Sequence, residues 1–287
     1  VSPQRFYPTS IDGVLHAPGE GFIRSDDQGF LSGLSVFDTL LYEDGCRYFE
    51  AQHLARLENG AAALSIARPL PWDIPTELAR YCAALGPRNC AVRITLTRGV
   101  LGRGPTLVIG ARDIVPPPEP GVVVVLVKDA KLAGDPLENI KSTNRLRNFL
   151  AREAALAAGA FEALLCTHAG DVSEGTLSNV FAQIDGTVVT PGLDRGALSG
   201  VMRGEVLAEL RACGREVAET VLEPEALARA SEIFLTNTTG RVIPVLEVRD
   251  LVRGLPGAAG ELARDLRQRI RAREQAYRRS REGGGAE

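Results

Sequence analysis

Residues 116–120 read Pro-Pro-Pro-Glu-Pro, and no other stretch of the 287-residue chain restricts its folding so strongly. Proline fixes φ and has no backbone N–H, so this stretch enters no sheet interior and continues no helix. It reads as a stiff, extended connector. The sequence predicts a domain junction there, with an N-terminal domain over residues 1–118 and a C-terminal domain over 119–287. The length suits two hydrophobic cores better than one.

Upstream of the prolines, residues 1–20 are rich in turn formers and yield little. Residues 29–41, Gly-Phe-Leu-Ser-Gly-Leu-Ser-Val-Phe-Asp-Thr-Leu-Leu, read as an apolar strand. Glu43-Asp44-Gly45 supplies a turn and Arg47-Tyr48-Phe49 the return strand. A helix opens at His53, with Leu54, Leu57, Ala61 and Leu64 at helical spacing, and a second covers 72–85. Arg56 on the first helix is either a solvated partner or a clamp for a phosphate. Strands over 90–97 and 107–111 flank Arg98-Gly99-Val100-Leu101-Gly102-Arg103-Gly104-Pro105. That loop is either an anion binder or a plain hairpin with exposed arginines. The order β-β-α-α-β-β predicts an α+β unit.

Downstream, a strand over 122–128 leads through a polar loop to Asn139-Ile140-Lys141-Ser142-Thr143-Asn144-Arg145-Leu146, at the mouth of a helix. A lysine amine held there is either solvated or turned into a cleft, where it can form a Schiff base with an aldehyde. A strand over 162–166 and a turn at 169–171 precede Val172-Ser173-Glu174-Gly175-Thr176-Leu177-Ser178-Asn179-Val180-Phe181. A carboxylate among buried strand residues needs a partner, so Glu174 faces a protonated ring nitrogen, an arginine or backbone amides. After a strand over 187–191, Leu198-Ser199-Gly200-Val201-Met202-Arg203 feeds a helix whose N-terminus suits a phosphate. A last strand, 233–235, runs into Thr236-Asn237-Thr238-Thr239-Gly240, which reads as a phosphate contact or as a turn. A charged helix from Glu261 ends in a Gly-rich, disordered terminus.

Composition closes off other classes. A formal charge of −3 gives no case for nucleic acid, and no apolar run reaches membrane-span length. Cysteines 46, 82, 90, 166 and 213 are scattered and odd in number, as free thiols in a reducing compartment would be. With His16, His53 and His168 the only histidines, no metal site is expected. The expectation is a soluble cytoplasmic protein.

Taken together, these segments resemble the fold-type-IV pyridoxal-phosphate enzymes of the class IV aminotransferase family. That family comprises branched-chain and D-amino-acid aminotransferases, (R)-selective amine transaminases and aminodeoxychorismate lyases. The resemblance covers about residues 29–244, with five motifs in the family's order. It implies an α/β (α+β) class: a two-domain enzyme with an N-terminal α+β domain and a C-terminal mixed, β-barrel-like domain with helices. The second domain, 119–287, would bind pyridoxal 5'-phosphate and carry the Schiff-base lysine. Lys141, in Ile-Lys-Ser-Thr-Asn-Arg-Leu, would be that lysine and the catalytic proton carrier. Glu174, in Ser-Glu-Gly-Thr-Leu-Ser-Asn, would pair with the pyridinium nitrogen. Arg56, in His-Leu-Ala-Arg-Leu, would grip the phosphate with the backbone amides of Val201 and Met202 and the Thr238 hydroxyl. Leu198 would pack on the ring. Members are homodimers with each site at the domain junction, completed by a neighbour's loop. Phe37, Arg98, Arg103, Asn237 and Thr239 would then serve the substrate.

Subgroup signals diverge. Thr238-Thr239 resembles the aminotransferases, whereas Asn237, Gly102-Arg103-Gly104 and Asn144-Arg145-Leu146 resemble the lyases. Arg103 matches the carboxylate-binding arginine of D-amino-acid aminotransferases, but Pro105 replaces its companion histidine. The Gly-Gly-Asn-Tyr that follows the lysine in branched-chain enzymes is absent. The resemblance therefore implies an aminotransferase moving an amino group between an α-amino acid, D configuration included, and a 2-keto acid. The alternatives are aminodeoxychorismate lyase, giving 4-aminobenzoate and pyruvate, and a non-catalytic binding module on the same fold.

Overall fold

The computed structural model describes residues 7–67 and 70–283. The chain divides into two compact units. The first comprises Val1–Val115, Ile140–Asn144 and Tyr277–Glu287, and the second Pro116–Asn139 and Arg145–Ala276. The cut falls at Val115/Pro116, where the proline run begins. Lys141 groups with the first unit, although the sequence reading put it in the C-terminal half. The cause is backbone pairing. Phe37 N–H donates to the Lys141 carbonyl (2.9 Å), Thr143 N–H to the Ser35 carbonyl (3.1 Å), and Val36 bridges Ser142.

In the first unit, β1 (Thr9–Ile11) and β2 (Val14–His16) form a hairpin through Asp12-Gly13, both at positive φ. A short helix, α1 (Gln28–Ser32), precedes β3 (Ser35–Glu43), so residues 29–41 are not one strand. Asp27 caps α1 by accepting the Gly29 N–H, and Gly33, in the left-handed region, ends it. The return strand β4 is only Cys46–Arg47, and Phe49 (φ 53°) starts α2 (Glu50–Ala63). Helix α3 (Ile74–Leu85) begins at an Asp73 cap. Strands β5 (Cys90–Val100) and β6 (Gly104–Arg112) extend farther toward each other than the sequence suggests. The resulting six-stranded sheet has the order β2-β1-β6-β5-β3-β4. Leu57 of α2 and Leu78 of α3 bury fully against Leu40, Ile94 and Ile109. Each such side chain contributes about 1.5–3 kcal/mol.

The second unit runs β7 (Val122–Lys131), α4 (Leu146–Ala157), β8 (Glu162–Thr167), β9 (Val172–Gly175), β10 (Asn179–Ile184) and β11 (Thr187–Pro191). It continues with α5 (Val201–Ala212), β12 (Val217–Thr220), α6 (Pro224–Leu227), β13 (Glu232–Asn237), β14 (Arg241–Val248), β15 (Val252–Arg253) and α7 (Glu261–Gly283), whose residues from Tyr277 onward group with the first unit. The nine strands make one mixed sheet, β12-β11-β10-β13-β14-β7-β8-β9, with β15 beside β14. The sheet curls, because its end strand β9 also lies against β10 and β11. Val124, Leu164, Val180, Leu235 and Val245 fill one face, and Ala151 and Ala155 of α4 cover Ala163 and Leu165 on another. The Gly-rich terminus expected to be disordered, 284–287, lies outside the described residues.

Candidate active site

In the first unit β3 presents two faces. Val36, Asp38 and Leu40 alternate toward α2, and Phe37 points the other way. Asp38, with no solvent exposure, accepts Arg56 Nε–H at 2.7 Å and Nη2–H at 2.8 Å, and His53 Nδ1 at 2.8 Å. His53 and Arg56 are one helical turn apart on α2, which brings both to the same carboxylate. Burial would raise the Asp38 pKa, but the bonds from His53 and Arg56 outweigh it and hold the carboxyl well below its usual range. Burial lowers the pKa of His53 and outweighs the opposing pull of Asp38. The ring is therefore neutral near pH 7, with its proton on Nδ1 donated to Asp38.

On the other face, the Lys141 amine lies 4.9 Å from the Phe37 ring centroid, and the Arg93 guanidinium stacks on that ring at 3.6 Å. The 140–144 segment is fixed by its bridge to β3, and the Asn144 side chain also donates to the Gly33 carbonyl (3.2 Å). Lys141 thus sits on a pinned backbone with its amine at the end of a flexible stem. Arg98 and Arg103 are exposed at the β5–β6 hairpin. Arg98 N–H donates to the Leu34 carbonyl (2.8 Å). Asp27 accepts the hydroxyls of Thr97 (2.8 Å) and Thr106 (2.9 Å), tying the hairpin base to the start of α1.

In the second unit Glu174 is buried on β9. Its Oε2 accepts the Leu198 N–H at 2.8 Å, and its Oε1 lies 2.9 Å from Lys131 Nζ and 3.7 Å from Arg145 Nη1. The Leu198 carbonyl accepts from Asn179 Nδ2 (2.9 Å) and from Gly200 N–H (2.8 Å). Gly200 caps α5 with no side-chain bond, and a Cβ there would collide with the Asn179 amide. Asn179 pairs with Thr236 across β10 and β13. Glu174, Leu198, Gly200 at the start of α5, Asn179 and Thr236 are thereby joined by one run of contacts.

Residues 236–240 close into a turn. Asn237 Oδ1 accepts Gly240 N–H at 2.7 Å and the Thr239 hydroxyl at 3.3 Å. Of the partners read for Glu174, a backbone amide, Leu198 N–H, is bonded to it and an arginine, Arg145, stands farther off; its nearest cation is Lys131. A carboxylate accepts about four hydrogen bonds, so these leave it capacity. Arg56 is half-buried and paired with a buried carboxylate. Sequence reasoning missed Asp38, His53, Arg93, Lys131 and Asn179. His53 and Arg56 at i,i+3 on one helix face were a usable signal; Lys131, in what reads as a polar loop after the 122–128 strand, carried none. Among the described residues no cluster of His, Cys, Asp or Glu is placed to hold a metal, and no helix is long and apolar enough to cross a membrane.

The model of the amino-transferase class IV family matches residues 35–248, from the first residue of β3 to the last of β14. The chain belongs to that family. It is therefore an enzyme of the group that contains aminotransferases and aminodeoxychorismate lyase. A Methanocaldococcus jannaschii protein provisionally named a branched-chain-amino-acid aminotransferase is 31% identical over 256 residues, covering 85% of this chain and 88% of its own. D-Alanine aminotransferase of Bacillus licheniformis is 28% identical over 269 residues, covering 89% and 93%. The solved 4-amino-4-deoxychorismate lyase of Pseudomonas aeruginosa superposes with a TM-score of 0.79 at 31% identity, over 92% of this chain and 98% of that one.

Proposed function

We propose that the chain is a pyridoxal-phosphate-dependent aminotransferase that moves an amino group between an α-amino acid and a 2-keto acid. The observation that carries this reading is Glu174, a buried carboxylate held at both oxygens by Lys131 and the Leu198 N–H. A carboxylate so fixed suits a protonated ring nitrogen. The rest of the donor set fits the cofactor as well. Lys141 offers a half-buried amine, Arg56 a guanidinium preset by Asp38, and α5 an N-terminus without a side-chain cap. The N–H groups of Val201 and Met202 in its first turn have no intrahelical acceptor and suit a phosphate.

When bound, pyridoxal phosphate supplies an aldehyde for the amine and a ring that accepts the electron pair left by the broken Cα–H bond. Lys141 takes up and returns the proton at its Nζ. Glu174 holds the ring nitrogen's proton, and Arg56, Val201, Met202 and the Thr238 hydroxyl bind the phosphate. Leu198 packs on the ring. Phe37, Arg98, Arg103, Asn237 and Thr239 serve the substrate, and a second copy of the chain completes the enzyme as a homodimer.

A second reading, aminodeoxychorismate lyase, draws on the likeness to the Pseudomonas aeruginosa structure. Asn237 and the Gly102-Arg103-Gly104 loop support it as well.

The visible spectrum of the purified protein, recorded before and after adding single L- and D-amino acids, tests both readings. Conversion of bound cofactor to pyridoxamine phosphate, reversed by a 2-keto acid, establishes the aminotransferase and its enantiomer. A spectrum unmoved by amino acids, with pyruvate released from aminodeoxychorismate, establishes the lyase. A protein that takes up no cofactor overturns both and leaves the binding module.

A further inference from the structure

We propose that Lys131 is the positioning residue for Glu174, fixing the carboxylate that meets the cofactor's ring nitrogen; this rests on the function proposed above. Lys131 ends β7 and is 1% exposed. Its ammonium lies 2.8 Å from Glu138 Oε2 and 2.9 Å from Glu174 Oε1. Strand β7 is apolar through Val127 and ends Lys128-Asp129-Ala130-Lys131, yet it is the last of these lysines that is buried. Buried ion pairs carry desolvation costs, and apolar residues of similar volume often serve stability as well or better.

The backbone is shaped to deliver this side chain. Asp129 adopts a left-handed conformation (φ 52°), and the register of β7 on β8 shifts between Val127 and Lys131. The in–out alternation breaks, so that Ala130 and Lys131 are both buried. A bulge of this kind re-aims a side chain, here inward onto two carboxylates.

The two oxygens of Glu174 are thus pinned separately, Oε1 by Lys131 and Oε2 by the Leu198 N–H. Arg145 is farther from Oε1, at 3.7 Å, and its side chain is 21% exposed, so it is the weaker restraint. With both oxygens fixed, the plane of the carboxylate is set before the cofactor arrives. Preorganisation of this sort is what outer partners of a site residue provide; for partners of metal ligands the loss of one typically costs about 10–100-fold, and the same scale is taken for Lys131. Glu138 belongs to the short 3₁₀ turn Pro136–Asn139, which immediately precedes the lysine segment in sequence. A competing account gives Lys131 a different task, holding that turn through Glu138.

The experiment compares the holoenzymes of Lys131→Met, Lys131→Arg, Glu138→Gln, Glu174→Gln and the Lys131→Met/Glu174→Gln double variant. It measures the cofactor dissociation constant, the absorption maximum of bound cofactor, and kcat and KM separately. Expected is a 10–100-fold weaker cofactor constant and lower kcat in Lys131→Met, with KM little changed and the absorption maximum shifted. Lys131→Arg restores most of both, and Glu138→Gln stays near wild type. The double variant resembles Glu174→Gln alone, because the two residues act as one unit. If Lys131→Met does not fold, Lys131→Gln carries the same comparison.

Wild-type values in Lys131→Met, or a Glu138→Gln variant as impaired as Lys131→Met, would overturn the assignment while leaving the cofactor reading in place. A wild-type protein that takes up no cofactor overturns the proposed function and this inference with it.

Discussion

Asp38 accepts two hydrogen bonds from Arg56, at 2.7 Å to Nε and 2.8 Å to Nη2, from a position with no solvent exposure. Two bonds to one carboxylate fix the plane of a guanidinium as well as its place. The arginine assigned to the phosphate is therefore oriented by a strand residue, not by its own helix. The same carboxylate takes the His53 Nδ1–H, so one buried charge organises two side chains.

Asp38→Asn keeps the shape and removes the charge, leaving an amide against a guanidinium built for a carboxylate. Breaking a buried pair from one side costs about 3–5 kcal/mol. Urea unfolding of the variant should show a loss of that size, together with weaker cofactor binding. A loss under about 1 kcal/mol would mean that Arg56 is held by something else.

Acid should weaken the fold in two stages. Folded His53 has its pKa lowered by burial, so below about pH 6.5 the unfolded chain binds a proton that the folded chain resists. Stability contributed there is complete above that pH and is lost as pH falls through the folded value. The slope reaches at most about 1.4 kcal/mol per pH unit for one proton. Asp38 follows at lower pH: its folded carboxyl lies below the ordinary value, so its contribution is present above about pH 3.9 and lost beneath it. Urea midpoints at pH 7.5 and 5.5 should fall for wild type and fall less for His53→Gln. Equal declines in the two proteins would remove His53 from the account.

How far the sequence disclosed this arrangement depends on whether the deciding interaction was local. Helix α3, strand β11 and the turn at Asp44-Gly45 follow from spacing and turn residues alone. Asp27 and Gly33 were also local signals, a cap and a left-handed stop, yet the apolar run between them masked α1. The hairpin at Asp12-Gly13 was equally readable, with both residues at positive φ. Strand β14 was hidden by Pro244, which argues against a central strand. In the structure its pairing with β7 begins only at Val245, past the residue that lacks a donor. Lys141, Glu174 and Arg56 were nameable because each sits in a motif resembling a family. Lys131, the partner of Glu174, and Asp38, the partner of Arg56, come from strands brought alongside by the fold, and no spacing rule reaches that far.

Glu162 offers a test of how the segment after Glu174 is held. Buried on β8, it accepts from the N–H groups of Ala163 (3.1 Å), Thr176 (3.2 Å) and Leu177 (3.3 Å), and from the hydroxyls of Thr176 and Ser178. Hydrogen bonds to a charged group contribute about 1.5–3 kcal/mol each. Glu162→Gln replaces one acceptor oxygen with a donor facing donors, so the melting temperature should drop by several degrees. Amide exchange at Thr176 and Leu177 should accelerate more than exchange in α2. Uniform acceleration across the chain would instead mean a global loss with no local cause.

Lys141→Ala separates the backbone's part from the amine's. The segment is anchored through its main chain, by the bond from Phe37 N–H and the bridge at Ser142, and neither needs the lysine side chain. The variant should therefore fold with a stability change within about 1 kcal/mol. Its amine is also the one group assigned both to capture the cofactor's aldehyde and to carry the proton. Proton transfer by a positioned side chain contributes about 10²–10⁴-fold, so turnover should fall at least that far. Cofactor that still binds should do so reversibly, leaving with dialysis and without covalent label after borohydride. A folded Lys141→Ala protein with normal multiple turnover would place the chemistry on another residue and remove the basis for the proposed site.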